Sequence, residues 1–224
     1  TMETAAERRT PAGVGVIKIT ESMGMPCEGF MIPDKYKEYL GSVLLTKGMI
    51  KDRTAKLASD IKSDYDGKRF ILICILKGAY PFFSELCRQL QNLGQAFSYE
   101  FLRVKRTTAD GAVEINISET DLNKVHNYPV IIVEDIVDTG ETIKEVTKYI
   151  KSFNPKSVKT CVLIEKDNPH RFSYTRNYCG YQAPYHFIVG YGIDCCEKFR
   201  DLDHICLMTP EGVKWCAENE DKLL

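Results

Sequence analysis

With 224 residues, 44% of them hydrophobic and 27% charged, the chain can bury a sizeable core and has the composition of an ordinary globular protein. Its 30 Lys and Arg against 31 Asp and Glu leave a formal net charge of −1, so no broad field gathers nucleic acid or an anionic membrane, and any anion site must be local. No apolar stretch approaches membrane-spanning length and no apolar signal region opens the chain, which makes cytoplasmic residence the expectation. The 9 cysteines form no CxxC pair and no regular framework, which fits a reducing compartment. Cys74 and Cys161 sit inside apolar runs as small hydrophobes, and the adjacent Cys195-Cys196 is only a weak redox or metal signal.

In chain order, residues 1–15 mix charges with Pro11, Gly13 and Gly15 and are expected to be mobile, and 16–20 suit a short strand. Residues 50–61 read as an amphipathic helix, and the apolar run 70–76 as a buried strand. Lys77-Gly78 stops that strand, and a helix pattern follows over 81–90. Residues 97–104 alternate as a further strand, whereas 105–121 is polar, contains Asp110-Gly111 and reads as a long loop or flexible hairpin. Residues 157–164 supply another strand, the chain beyond Lys166 is turn-rich, and 186–191 and 204–208 suggest two short strands. Strands alternating with helices imply an α/β fold with a parallel sheet, whose ligands bind outside the carboxyl ends of the strands. No GxGxxG follows a strand and no GxxxxGK[ST] is present, so the dinucleotide and P-loop readings are disfavoured.

Residues 130–142 carry most of the chemistry. Val130, Ile131, Ile132 and Val133 are β-branched and unbroken, as in a strand covered on both faces. Glu134 and Asp135 follow, then Asp138, Thr139 and Gly140 in a turn, and Ile143, Val146 and Ile150 at the spacing of an amphipathic helix. A helix start leaves N–H groups without intrahelical acceptors and carries partial positive charge, so the turn can hold a phosphate. The acids at 135 and 138 are wrongly spaced for a DxD-type phosphatase.

This stretch resembles the phosphoribosyl-diphosphate (PRPP) motif of type I phosphoribosyltransferases. Leu76-Lys77-Gly78, residues 101–105, Lys166, Phe187, Gly190-Tyr191 with Asp194, and the run from Lys198 to His204 narrow the resemblance to the hypoxanthine-guanine phosphoribosyltransferases. The resemblance implies the type I phosphoribosyltransferase fold, a twisted, mainly parallel sheet with a small hood lobe. The core would span about 45–180, with the hood built from about 16–44 and 181–224. It implies transfer of the phosphoribosyl group from PRPP to N9 of hypoxanthine or guanine, giving IMP or GMP and pyrophosphate, with Mg²⁺ as cofactor and a homodimer or homotetramer as the assembly.

Residue by residue, the resemblance makes Glu134 and Asp135 ligands of the ribose hydroxyls, directly and through Mg²⁺. Asp138 becomes the general acid/base at purine N7, and Asp138, Thr139, Gly140, Glu141 and Thr142 the 5′-phosphate cradle. Lys77, Gly78 and Arg200 would meet pyrophosphate, with a cis peptide expected between Leu76 and Lys77. Lys166 would donate to the purine 6-oxo group, Phe187 would stack on the base, and the backbone of Ile188 and Asp194 would meet its Watson–Crick edge. Asp194 would hold a second Mg²⁺, and Lys105, Arg106 and Thr107 belong to the mobile loop that closes the site.

Four positions depart from the family pattern. Ala79 stands where a second turn glycine is usual and would resist a positive φ. Arg106-Thr107 replaces a Ser-Tyr pair in a shortened loop, Glu141 a common lysine, and Cys195-Cys196 a Tyr-Asn pair. The expectation is an active transferase slowed by poorer lid closure; the alternative is a weakly active or inactive PRPP- or nucleotide-binding protein with a regulatory role.

Overall fold

The computed structural model describes residues 15–109, 112–117, 122–170 and 172–220. The N-terminal stretch expected to be mobile lies, up to residue 14, outside the described residues, as do residues 110–111 and 118–121. The elements run β1 (Ile17–Lys18), α1 (Asp34–Lys37), β2 (Leu40–Leu45), α2 (Lys47–Asp64), β3 (Phe70–Leu76), α3 (Tyr80–Asn92), β4 (Phe97–Ala109), β5 (Ala112–Ile117), β6 (Pro129–Val137), α4 (Glu141–Lys151), β7 (Ser157–Lys166), β8 (Tyr178–Ala183), β9 (Ile188–Val189), β10 (Ile205–Met208) and α5 (Pro210–Glu218).

Seven strands form one sheet in the order β1-β8-β7-β6-β3-β4-β5. Every pairing in it is parallel except that between β4 and β5. The unbroken apolar runs follow from helices on both faces. On β3, Phe70, Leu72 and Cys74 point to the side of α2 and α3, where they join Ile50, Leu57, Ile61, Phe82, Leu86 and Leu90. Their neighbours Ile71, Ile73 and Ile75 point to the other side, where Val130 and Ile132 meet Ile143, Val146 and Ile150 of α4. The register of β3 on β6 sets Ile73 beside Ile132 and Cys74 beside Val133, so both strands reach the same edge together.

A second, three-stranded antiparallel sheet has the order β2-β10-β9. Its own cluster joins Tyr36, Val43, Val189, Phe199, Leu202, Cys206 and Met208 with Cys216 of α5. The strand expected over 186–191 is shorter than its apolar run because Gly190 turns the chain at φ +102, so close to the His204 carbonyl that a side chain there would overlap it. The region read as a loop or hairpin is a hairpin: β4 continues past Val104 and pairs with β5, Arg106 opposite Ile115. All nine cysteines are free, and burial pushes the Cys74 and Cys161 thiols up, which keeps them inert. No helix among the described residues is long and apolar enough to cross a membrane.

Candidate active site

At the carboxyl ends of β3, β6 and β7 the two sheets enclose a cleft of about 460 Å³. Lys77, Gly78, Glu134, Asp135, Asp138, Thr139, Gly140, Thr142, Lys166, Phe187, Ile188, Asp194 and Arg200 all line it. Thirteen positions spread over more than 120 residues of sequence thus meet at one edge, because parallel strands deliver their ends to the same side.

Three features build the turn at 138–142. Gly140, at φ +79 and ψ 0, adopts a left-handed conformation that suits glycine and acts as N-cap of α4 without a side chain. The first N–H groups of α4 therefore face the cleft without intrahelical acceptors, while Ile143, Val146 and Ile150 anchor the helix on the sheet. From the far side, the Phe172 N–H donates to the Thr139 carbonyl at 2.7 Å and fixes the turn. Glu141 is the first residue of α4, and its N–H lies 3.4 Å from Thr139 Oγ1, a long and weak contact.

Asp138 is not the helix cap. Its Oδ2 accepts from Lys166 Nζ at 3.2 Å, and its Oδ1 accepts from Asn168 Nδ2 at 2.5 Å. Lys166, the last residue of β7, is 9% exposed, and its ammonium lies 5.5 Å from the Phe187 ring centroid and 5.8 Å from that of Tyr185. Phe187 lines the cleft and leaves 41% of its surface open. Ile188 is buried in the cleft wall.

Glu134 and Asp135 are each 6% exposed. Burial pushes the Glu134 carboxyl well above the ordinary range, with the Asp135 charge adding to it, and burial raises Asp135 as well. A cation beside the pair would favour its charged form. Gly78 makes room for the pair, because a methyl there would overlap the Asp135 carboxylate. The peptide between Leu76 and Lys77 is cis, as expected. Ala79 sits at φ −68 in the helical region, so the missing turn glycine has no conformational consequence.

Opposite lies the loop after β9. Arg200 donates to the Gly192 carbonyl at 2.7 Å and pairs with Asp194 at 2.9 Å. Lys105, Arg106 and Thr107 lie in β4, their backbone paired with Asn116, Ile115 and Glu114, just beyond the cleft-lining Arg103 and Val104. Among the described residues no cluster of three or more His, Cys, Asp or Glu could hold a metal. The carboxylate pair alone suits Mg²⁺, which takes one or two protein carboxylates and completes its shell with water and phosphate oxygens.

Sequence reasoning missed three polar members. Arg103 lay within a stretch read as a strand and as part of the resemblance but given no role, and Glu197 looked like any surface acid. Asn168 sits before Pro169, and its Oδ1 accepts from the His170 N–H at 2.8 Å, so its local signal is that of a turn. Nothing in the sequence ties it to Asp138, 30 residues away.

Residues 43–194 match the phosphoribosyl transferase domain family. The hypoxanthine-guanine-xanthine phosphoribosyltransferase of Plasmodium falciparum is 39% identical over 208 residues, spanning 88% of this chain and 89% of that protein. The human hypoxanthine-guanine phosphoribosyltransferase is 34% identical over 207 residues, with 88% and 94% covered. The crystal structure of the Schistosoma mansoni enzyme in complex with IMP superposes with a TM-score of 0.75 at 32% identity, covering 89% of this chain and 98% of that one.

Proposed function

The chain belongs to the phosphoribosyl transferase family, and from that premise we propose that it transfers the phosphoribosyl group of PRPP to N9 of a 6-oxopurine, hypoxanthine or guanine, releasing pyrophosphate. The observation that carries the reading is the pairing of Lys166 Nζ with Asp138 Oδ2 at 3.2 Å beside the exposed Phe187 ring. O6 and N7 of a 6-oxopurine lie side by side on one edge. An ammonium can donate to O6 but finds no acceptor on a 6-amino group, which disfavours adenine.

Asp138 holds or releases the proton at N7, an ordinary general acid/base role. Asn168 orients its carboxylate, and Lys166 gives up its contact with Asp138 to meet O6. The Asp138–Thr142 turn binds the 5′-phosphate through its N–H groups and hydroxyls, and Lys77 and Arg200 receive the diphosphate. Glu134 and Asp135 bind the ribose hydroxyls. The pair would hold one Mg²⁺ and Asp194 a second, each neutralising diphosphate charge when bound. The three-stranded sheet with α5 acts as a hood that covers the base and keeps water from the reacting centre.

The test is turnover of purified protein with PRPP, Mg²⁺ and each of hypoxanthine, guanine, xanthine and adenine. Nucleotide formed from 6-oxopurines and not from adenine is the expected result. Equal use of adenine would remove Lys166 from its assigned role.

A further inference from the structure

Glu197 reaches the two cations that receive diphosphate in the reading above. Its Oε2 lies 2.7 Å from Lys77 Nζ, and its Oε1 lies 3.2 Å from Arg200 Nη2. One carboxylate thus spans a lysine in the turn after β3 and an arginine in the loop after β9, one oxygen to each, as a phosphate group would.

The backbone holds it there. The Glu197 N–H donates to Asp194 Oδ2 at 2.8 Å. Cys196 and Glu197 both have positive φ, +50 and +62, a conformation uncommon away from glycine. Both members of the Lys77 pair are half exposed, at 56% and 54%, so the carboxylate can swing into solvent without breaking any packed core.

From this arrangement we infer that Glu197 is an internal anion that occupies the diphosphate subsite of the unliganded cleft, and that it competes with the diphosphate end of the substrate and with product pyrophosphate. The inference rests on the assignment of Lys77 and Arg200 to diphosphate. It gives Glu197 two effects of opposite sign, of which the second is the larger. It keeps two like-charged side chains preorganised near one another when no ligand is present, and it weakens binding of any anion that must displace it. Product pyrophosphate, which lacks the ribose and 5′-phosphate contacts of PRPP, is the ligand least able to offset that competition, so Glu197 favours its departure.

The test is calorimetric binding of inorganic pyrophosphate to the full-length chain, with and without Mg²⁺, for the wild type, Glu197→Gln, Glu197→Ala and Lys77→Ala. Both Glu197 variants should bind pyrophosphate about two- to tenfold more tightly, the range set by losing two partly exposed ion pairs. The gain should shrink as salt is raised, because exposed charges are screened. Lys77→Ala should bind more weakly. Binding that is unchanged or weaker in both Glu197 variants, with Lys77→Ala still weakened, overturns the competitor role and leaves the diphosphate assignment standing. No pyrophosphate binding by the wild type would overturn both. A side chain with a merely structural role would shift the melting temperature but not the salt-dependent affinity.

Discussion

Replacing Asn168 with alanine removes the donor that holds Asp138 Oδ1 at 2.5 Å and leaves Lys166 as the partner at the other oxygen. Asn168 is 8% exposed, so no bulk water stands ready at its position. A hydrogen bond to a charged group contributes about 1.5–3 kcal/mol. The Asp138 side chain is 36% exposed, so water recovers part of this, and a loss of about 1–2 kcal/mol follows. At about 1.4 kcal/mol per tenfold, kcat/KM for hypoxanthine should fall about five- to thirtyfold. The assay is steady-state IMP formation, repeated in an Asp138→Asn background as a double-mutant cycle. If Asn168 acts by orienting Asp138, its removal should cost little once Asp138 is an amide. An equal cost in both backgrounds would refute the reasoning, since Asn168 would then act elsewhere.

Glu134 is predicted to cost stability in the free protein. Its carboxyl is raised by burial, so the folded chain binds more protons than the unfolded one between the ordinary carboxylate range and the raised value. Stability is thus fully present below that range and falls as pH climbs through the raised value. Glu134→Gln should melt higher than the wild type by a margin that widens as pH rises above the ordinary carboxylate range, while losing PRPP affinity; a constant margin would contradict the shift. Ile150, fully buried where α4 meets the sheet, should cost about 2–5 kcal/mol as Ile150→Ala in urea unfolding, with IMP binding by the folded protein retained. A loss below about 1 kcal/mol would mean that α4 is not anchored there.

The parts legible in the sequence are those that one physical signal dictates. The β-branched and apolar runs at 70–76 and 130–133 read as strands covered on both faces, and the spacing of Ile143, Val146 and Ile150 as one face of a helix, and the structure has both. Between them they fix where the turn at 138–142 must sit. β8 escaped because Tyr178–Ala183 is short, contains Gly180 and follows a polar run; its identity as a strand depends on pairing with β7 and β1, not on its own composition. β2 was hidden by Gly41 and Ser42 at its start. α5 did carry a signal that went unread, Thr209 as N-cap followed by Pro210 in the first turn. In the site, residues with a motif were found, and Asn168 and Glu197 were not. Their roles arise only when the fold brings β7 to Asp138 and the loop after β9 to Lys77.

The central claim is that the cleft performs phosphoribosyl transfer with Asp138 at the proton. The most direct test measures PRPP binding and turnover with hypoxanthine or guanine on the same preparations of wild type and Asp138→Asn. The account predicts measurable turnover by the wild type, a fall of about 10²- to 10⁴-fold in kcat for Asp138→Asn, and a PRPP Kd that scarcely moves. A wild-type protein that binds PRPP yet turns over no purine, or an Asp138→Asn variant as fast as the wild type, would contradict it.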